Sequence, residues 1–230
     1  QLPDAPVLVS VTDDVGEPVD LTSGQLTNDA RPTLSGTAEA GSTVNIYDGT
    51  TLLGSATVGA NNAWSFTPTT PLADGEHTLT VTTTDAAGNV SPPNEGFVIN
   101  VAATAPVAPL ITSVVDNVGS GQGPVLNGNP TNDTRPTLNG TAEAGATVRI
   151  YDGETLVGET LANDQGQWTL DETLIALEDG EHTFTAIATD AAGNLSAASP
   201  VASITVDTLA PGAPDSFTVL NNGSTLTGRG

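Results

Sequence analysis

The chain has no cysteine and no lysine, and only four arginines and eight aromatic side chains stand among its 230 residues. Without thiols there is no disulfide to staple the fold, no thiolate nucleophile and no ligand for soft metals. No apolar run approaches the roughly 20 residues needed to span a bilayer. Residues 1–10, QLPDAPVLVS, lack a basic n-region and a long apolar h-region, so no signal peptide is read there and an interior piece of a longer protein is expected. What the chain has is acid: 27 Asp plus Glu give a net charge of −23. Nucleic acid and anionic membrane surfaces are poor partners for such a chain, because their phosphates would be repelled. Oxygen ligands are in excess, so hard cations remain compatible. Hydrophobic residues make up 37%, and 25 Gly with 16 Pro break the chain into short runs. The core must be lean.

A duplication organises the sequence. Residues 27–49, TNDARPTLSGTAEAGSTVNIYDG, match residues 131–153, TNDTRPTLNGTAEAGATVRIYDG, at 19 of 23 positions. The spacing of 104 extends to Trp64 and Trp168, and becomes 105 for ADGEHT (73–78) against EDGEHT (178–183) and TDAAGN (84–89) against TDAAGN (189–194). Proline-bearing joints recur as PDAP (3–6), APVAP (105–109) and APGAP (210–214). The expected units are therefore 1–104 and 105–209, with 210–230 a linker and the opening strands of a truncated third. In that tail STLTG stands where the others have RPTLSG and RPTLNG, and sixteen residues cannot bury a core of their own. It is expected to be poorly ordered or packed on the second unit.

Within each unit, short runs alternate with period two. Leu79, Val81 and Thr83 share a face, as do Phe184, Ala186 and Ala188; Trp64 joins Phe66, Ile99 joins Val101, and Ile204 joins Val206. Turn signals separate the runs: Asp48-Gly49, Asp74-Gly75 and Gly88-Asn89, with Asp152-Gly153, Asp179-Gly180 and Gly193-Asn194 as counterparts. Helical periodicity is absent. About seven strands in roughly 100 residues predict an all-β fold, an antiparallel sandwich with Greek-key connections. Trp64 and Trp168 are expected to anchor the two cores.

The motifs GTAEAGSTVNIYDG, DGEHTLTVTTTDAAGNVS and VDTLAPGAP resemble the bacterial Ig-like repeats of giant surface adhesins secreted by type I systems, the biofilm-associated and RTX-type adhesins. The resemblance covers both complete units. It implies Ig-like extender modules, stiffened by calcium at and near domain joints, which hold a ligand-binding region far from the cell.

Alternating strand directions in an Ig-like unit fix the pole at which each turn falls. The EAG turns (39–41, 143–145) and DAAGN turns (85–89, 190–194) belong at the N-terminal pole. The segments around 13–16, 27–29, 116–119 and 131–133, with the YDG and DGEH turns, belong at the C-terminal pole. Glu143 and Asp190 should then converge on the linker leaving the first unit, as Glu39 and Asp85 do at the preceding pole. Carboxylates gathered in this way repel unless a cation neutralises them, and Ca²⁺ accepts six to eight oxygens with loose geometry. The resemblance implies a linker Asp, present as Asp207 but replaced by Ala102 in the first linker, where Asn100 or backbone carbonyls near Ala103 would substitute. A second candidate lies in the long first connection: Asp13, Asp14, Asn28 and Asp29, with Asp116, Asn117, Asn132 and Asp133 in the second unit. The same residues equally suit Asx-turns or pairing with Arg31 and Arg135. Neither an EF-hand loop nor an RTX nonapeptide is present.

Catalytic constellations are missing. His77 and His182 occupy identical places in DGEHT, where edge or turn packing is the simpler reading; there is no GxSxG elbow, and one His per unit without Cys cannot build a zinc site. Asp74 with Glu76, and Asp179 with Glu181, lie in tight turns without an aromatic cleft and read as solvated acids. The resemblance therefore implies, with no catalytic motif against it, a non-enzymatic, extracellular, cell-surface stalk module that supports adhesion and biofilm formation. It is expected to be monomeric and to pair with neighbouring repeats of its own chain, with Ca²⁺ as its ion and the host or surface ligand bound elsewhere in the full protein. The alternatives are an Ig-like module that itself recognises glycan or protein, and an accessory module that stands beside a catalytic domain.

Overall fold

The computed structural model of the chain describes residues 2–119, 121–125, 128–213, 216–218 and 227–229. Most of the expected third-unit start lies outside the described residues; within it, strands Ser216–Thr218 and Thr227–Arg229 pair antiparallel.

In the first unit nine strands follow in order: β1 (Val7–Asp13), β2 (Val19–Asp20), β3 (Gln25–Thr27), β4 (Thr33–Thr37), β5 (Thr43–Asp48), β6 (Thr51–Thr57), β7 (Ala63–Phe66), β8 (Gly75–Thr84) and β9 (Phe97–Val101). They form two sheets, β2-β1-β4-β7 and β3-β9-β8-β5-β6. The second unit repeats this with β10 (Leu110–Asp116), β11 (Gly123–Val125), β12 (Pro130–Thr131), β13 (Thr137–Thr141), β14 (Thr147–Asp152), β15 (Thr155–Leu161), β16 (Gln167–Leu170), β17 (Gly180–Thr189) and β18 (Ala202–Val206). Its sheets are β11-β10-β13-β16 and β12-β18-β17-β14-β15. The fold is therefore all-β, two tandem Ig-like sandwiches. Two short strands exceed the seven that alternation suggests, because the long first connection is itself divided. β2 pairs antiparallel with β1, whereas β3 crosses to the other sheet and runs parallel to β9.

Period-two alternation builds each core. Along β8, Leu79, Val81 and Thr83 are fully buried while their neighbours face outward; Phe184, Ala186 and Ala188 do the same along β17. Leu34, Val44, Ile46 and Ile99 meet them in the first unit, and Leu138, Val148, Ile150 and Ile204 in the second. Trp64 and Trp168 are buried in their clusters. Each indole packs against a strand glycine. A methyl carbon on Gly36 would sit 2.0 Å from the Val7 carbonyl oxygen and 2.7 Å from the Trp64 ring, and one on Gly140 would sit 2.0 Å from the Leu110 carbonyl oxygen and 2.2 Å from the Trp168 ring.

Register fixes the poles. Thr43 pairs with Thr84, which sets the EAG turn beside the DAAGN turn. Gly75 pairs with Val101, which sets the DGEH turn beside the outgoing linker, and Asp48 pairs with Leu79, which brings the YDG turn to the same end.

Because the obstruction at Gly36 and Gly140 is backbone on one side and indole on the other, neither can move aside cheaply. Gly36→Ala and Gly140→Ala should each lower unfolding free energy by about 3 kcal/mol, read from urea unfolding of the whole chain.

Candidate functional sites at the sandwich poles

At the C-terminal pole of the first unit, the two ends of the long connection meet through their aspartates. Asp13 accepts the Thr27 hydroxyl at 2.6 Å and the Val15 amide at 2.9 Å. Asp29 accepts the Asp14 amide at 3.1 Å and the Arg31 amide at 2.7 Å, while its own amide donates to the Thr27 hydroxyl oxygen. Asp14 takes a hydrogen bond from Thr33 at 3.2 Å. The second unit reproduces the network: Asp116 with Thr131 and Val118, and Asp133 with the Asn117 and Arg135 amides. Asp29, Asp116 and Asp133 are buried. A buried carboxylate needs donors, and here backbone N–H and hydroxyl groups supply them to both oxygens. The arginine head groups are not the partners: Arg135 instead donates to the Thr173 and Leu174 carbonyls. Arg149, opposite Glu159 on the neighbouring strand, forms an exposed ion pair at 2.7 Å.

At the N-terminal pole, Asp85 and Asp190 each close their turn alone. Asp190 accepts the Ala192 and Asn194 amides at 2.9 Å and the Asn194 side-chain amide at 2.7 Å. Asp85 repeats these contacts with Ala87 and Asn89. The Asn89 side chain, followed by its amide, holds the Asp85 carboxyl below the usual range. Glu39 lines a cleft with Asp4 and Asp85. Glu143 is exposed at the corresponding place.

The joint itself is fastened by Asn194 and Asp74, which the sequence had marked as turn residues rather than as linker partners. From the second unit, the Asn194 side chain donates to the Ala102 carbonyl at 2.7 Å and the Thr104 carbonyl at 3.4 Å. From the first, Asp74 accepts the Ala103 amide at 2.8 Å. The Thr104 hydroxyl, then the Ala103 amide, hold the Asp74 carboxyl below the usual range. Asp179 grips Thr208 in the same way after the second unit, at 2.9 Å to its amide and 2.8 Å to its hydroxyl. Asn28 also faces the joint, its amide nitrogen 3.8 Å from where a methyl on Gly193 would stand. Asn100 does not: it donates to the Gly24 carbonyl at 3.0 Å within its own unit. Asp207 accepts the Leu209 amide at 3.0 Å, and Asn132 stays inside the second unit, 3.3 Å from a methyl position on Gly119.

As a donor set for a cation, these places differ. Among the described residues no three His, Cys, Asp or Glu side chains stand close enough to hold a metal between them. The joint does offer the Asp190 carboxylate and the carbonyls of Ala102 and Thr104, bridged by the Asn194 side chain, while Glu143 lines a cleft with Val107 and Ala108. Such a mixture of carboxylate and neutral oxygens fits a hydrated Ca²⁺ better than a closed site.

The turn DGEH carries a further arrangement that its motif did not reveal. His77 contacts Asp48 through Nδ1 at 2.7 Å and the Ala73 carbonyl through Nε2 at 2.7 Å. The signal available in sequence was that YDG and DGEH recur together in both units.

Two stretches, residues 5–101 and 110–208, match the family model for the bacterial Ig-like domain. The chain belongs to the bacterial Ig-like domain family. Among curated proteins it is 32% identical over 212 residues to Exoglucanase B of Cellulomonas fimi, covering 86% of this chain but 18% of that one. The chain thus spans less than a fifth of that relative. Among solved structures it is similar to the fibronectin(III)-like modules of Clostridium thermocellum CbhA, with 17% identity, a TM-score of 0.46, and 86% and 94% of the two chains covered. It is also similar to a bacterial ice-binding adhesin, at 20% identity, TM-score 0.40 and coverage of 90% and 66%. A tetra-tandem repeat from the extending region of a large adhesion protein gives 24%, 0.34, and 79% and 46%.

Within these Ig-like units, Asp133→Ala would leave the Asn117 and Arg135 amides without their acceptor. Its expected cost is about 3 kcal/mol in urea unfolding, whereas Asp164→Ala on an exposed turn should change stability by less than about 0.5 kcal/mol.

Proposed function

We propose that the chain is an extender module of a bacterial cell-surface adhesin, a mechanical spacer that supports adhesion and biofilm formation while its target is bound elsewhere in the protein. One observation carries this reading: the linker between two duplicated sandwiches is gripped from both sides, by Asp74 of the first and Asn194 of the second. A joint fastened in this way passes tension from sandwich to sandwich. An extracellular location agrees with membership of the bacterial Ig-like family.

Calcium is part of the proposal. Glu143, Asp190 and the carbonyls of Ala102 and Thr104 would hold it at the first joint, with water completing its shell; Glu39 and Asp85 would do so with Asp4 at the preceding pole. The ion would relieve repulsion between carboxylates and narrow the angles open to the joint. The similarity to Exoglucanase B favours a second reading, in which the same spacer chemistry separates parts of an exoglucanase-type protein. The two readings differ in what flanks the module rather than in how it works.

Small-angle scattering and thermal melting in millimolar calcium and in chelator test the proposal. For a site of extracellular affinity, roughly 10⁻⁴ to 10⁻³ M, millimolar calcium adds about 0.5 to 1.5 kcal/mol, so melting should rise by a few degrees and the maximal dimension should narrow in distribution. If neither quantity responds, calcium drops out. If the two units also tumble independently, the spacer reading falls with it.

A further inference from the structure

Each DGEH turn seats an imidazole between two groups that only accept hydrogen bonds. His77 Nδ1 lies 2.7 Å from Asp48 Oδ2 and its Nε2 lies 2.7 Å from the Ala73 carbonyl oxygen. His182 repeats this at 2.6 Å to Asp152 Oδ2 and 2.8 Å to the Glu178 carbonyl oxygen. An ionised carboxylate and a carbonyl have no proton to give, and a neutral imidazole has one N–H. Only the imidazolium satisfies both contacts; the neutral ring turns a lone pair toward one acceptor. The second carboxylate oxygen of each aspartate is engaged as well, by the Thr78 amide at 3.2 Å and the Thr183 amide at 2.9 Å. The aspartate therefore cannot swing away to follow the ring.

The surroundings reinforce the charge. Opposite His77, β9 presents Ile99, with Asn100 opposite Glu76; opposite His182, β18 presents Ile204, with Thr205 opposite Glu181. The ionisable groups of the two turns are all acids: Asp48, Asp74 and Glu76 in the first, Asp152, Glu178, Asp179 and Glu181 in the second. Asp74 and Asp179 are turned to the linkers. Partial burial pulls each ring toward its neutral form. The hydrogen bonds to Ala73 or Glu178 and to Asp48 or Asp152, with the attraction of that aspartate, outweigh it and raise both imidazoles above their ordinary value.

We propose that His77 and His182 are proton-operated staples, each tying its DGEH turn to the end of the strand before the YDG turn firmly when charged and weakening that tie when neutral, because the neutral ring has one N–H for two acceptors. The same turn carries the aspartate that holds the outgoing linker, so the staple also sets how firmly the linker is anchored. A histidine whose folded value is raised contributes stability fully below its unfolded value, near pH 6.5, and loses it as pH rises through the folded value. Acid therefore tightens the C-terminal pole of each sandwich and alkali loosens it.

Imidazole NMR titration of the whole chain, without added metal, measures the staple directly. Both rings should titrate above about pH 6.5, and Asp48→Asn with Asp152→Asn should bring both midpoints down. In thermal melting, His77→Gln with His182→Gln should cost about 5 °C near pH 5.5 and less than about 1 °C near pH 8.5. Midpoints at or below about 6.5 in the unaltered chain, or an equal melting cost at both pH values, would overturn the proposal. The titration of the unaltered chain decides the matter even if a variant does not fold.

Discussion

Everything in this molecule is arranged around carboxylates that have almost no cationic side chains to answer them. With 27 acids against four arginines, ion pairing cannot be the general solution. Burying an uncompensated carboxylate costs several kcal/mol, so the fold supplies neutral donors wherever an acid leaves water. Asp29, Asp116 and Asp133 show this: two backbone amides reach each of Asp29 and Asp133, and an amide with a hydroxyl reaches Asp116. These bonds tie the far end of the first strand to the start of the fourth. They thereby hold the long first connection in the place from which β2 can stay in one sheet while β3 crosses to the other.

The same solution recurs at the turns. Asp85 and Asp190 fold their own loops by accepting amides two and four residues on. Asp74 and Asp179 reach outward and accept from the linkers. Asp48 and Asp152 take an amide and an imidazole each. Carboxylates thus act as acceptor hubs that fasten loops, linkers and turns, a task that disulfides perform in many small extracellular domains. An acceptor hub is adjustable where a disulfide is not, since protons or cations compete for the same oxygens.

Much of the architecture was legible in the amino-acid sequence. The 23-residue duplication gave away two units, and period-two alternation put Leu79, Val81, Ile99 and the two tryptophans inside, where they are found. Counting strand directions assigned each turn to its pole. The two short strands of each unit were not legible, because Val19–Asp20 and Gln25–Thr27, like Gly123–Val125 and Pro130–Thr131, are too brief for any period to register. Nor was the joint: a side-chain amide that reaches two backbone carbonyls 90 or more residues away, as Asn194 does, leaves no local pattern. His77 and His182 read as packing residues because the partner aspartates stand about 30 positions earlier, in a turn with its own obvious explanation. The linker asparagine Asn100 attracted notice by its chemistry, yet its strand position points it at Gly24.

The central claim is that the protein's own donors, without a metal, hold the carboxylates of the long connections. Amide hydrogen exchange at Asp14, Arg31, Asn117 and Arg135 in excess chelator tests it most directly. The account predicts slow exchange at all four, close to that of the buried strand amides, with added calcium changing them no more than it changes those strand amides. Rapid exchange in chelator that calcium suppresses would contradict it, and would make the ion rather than the backbone the keeper of these loops.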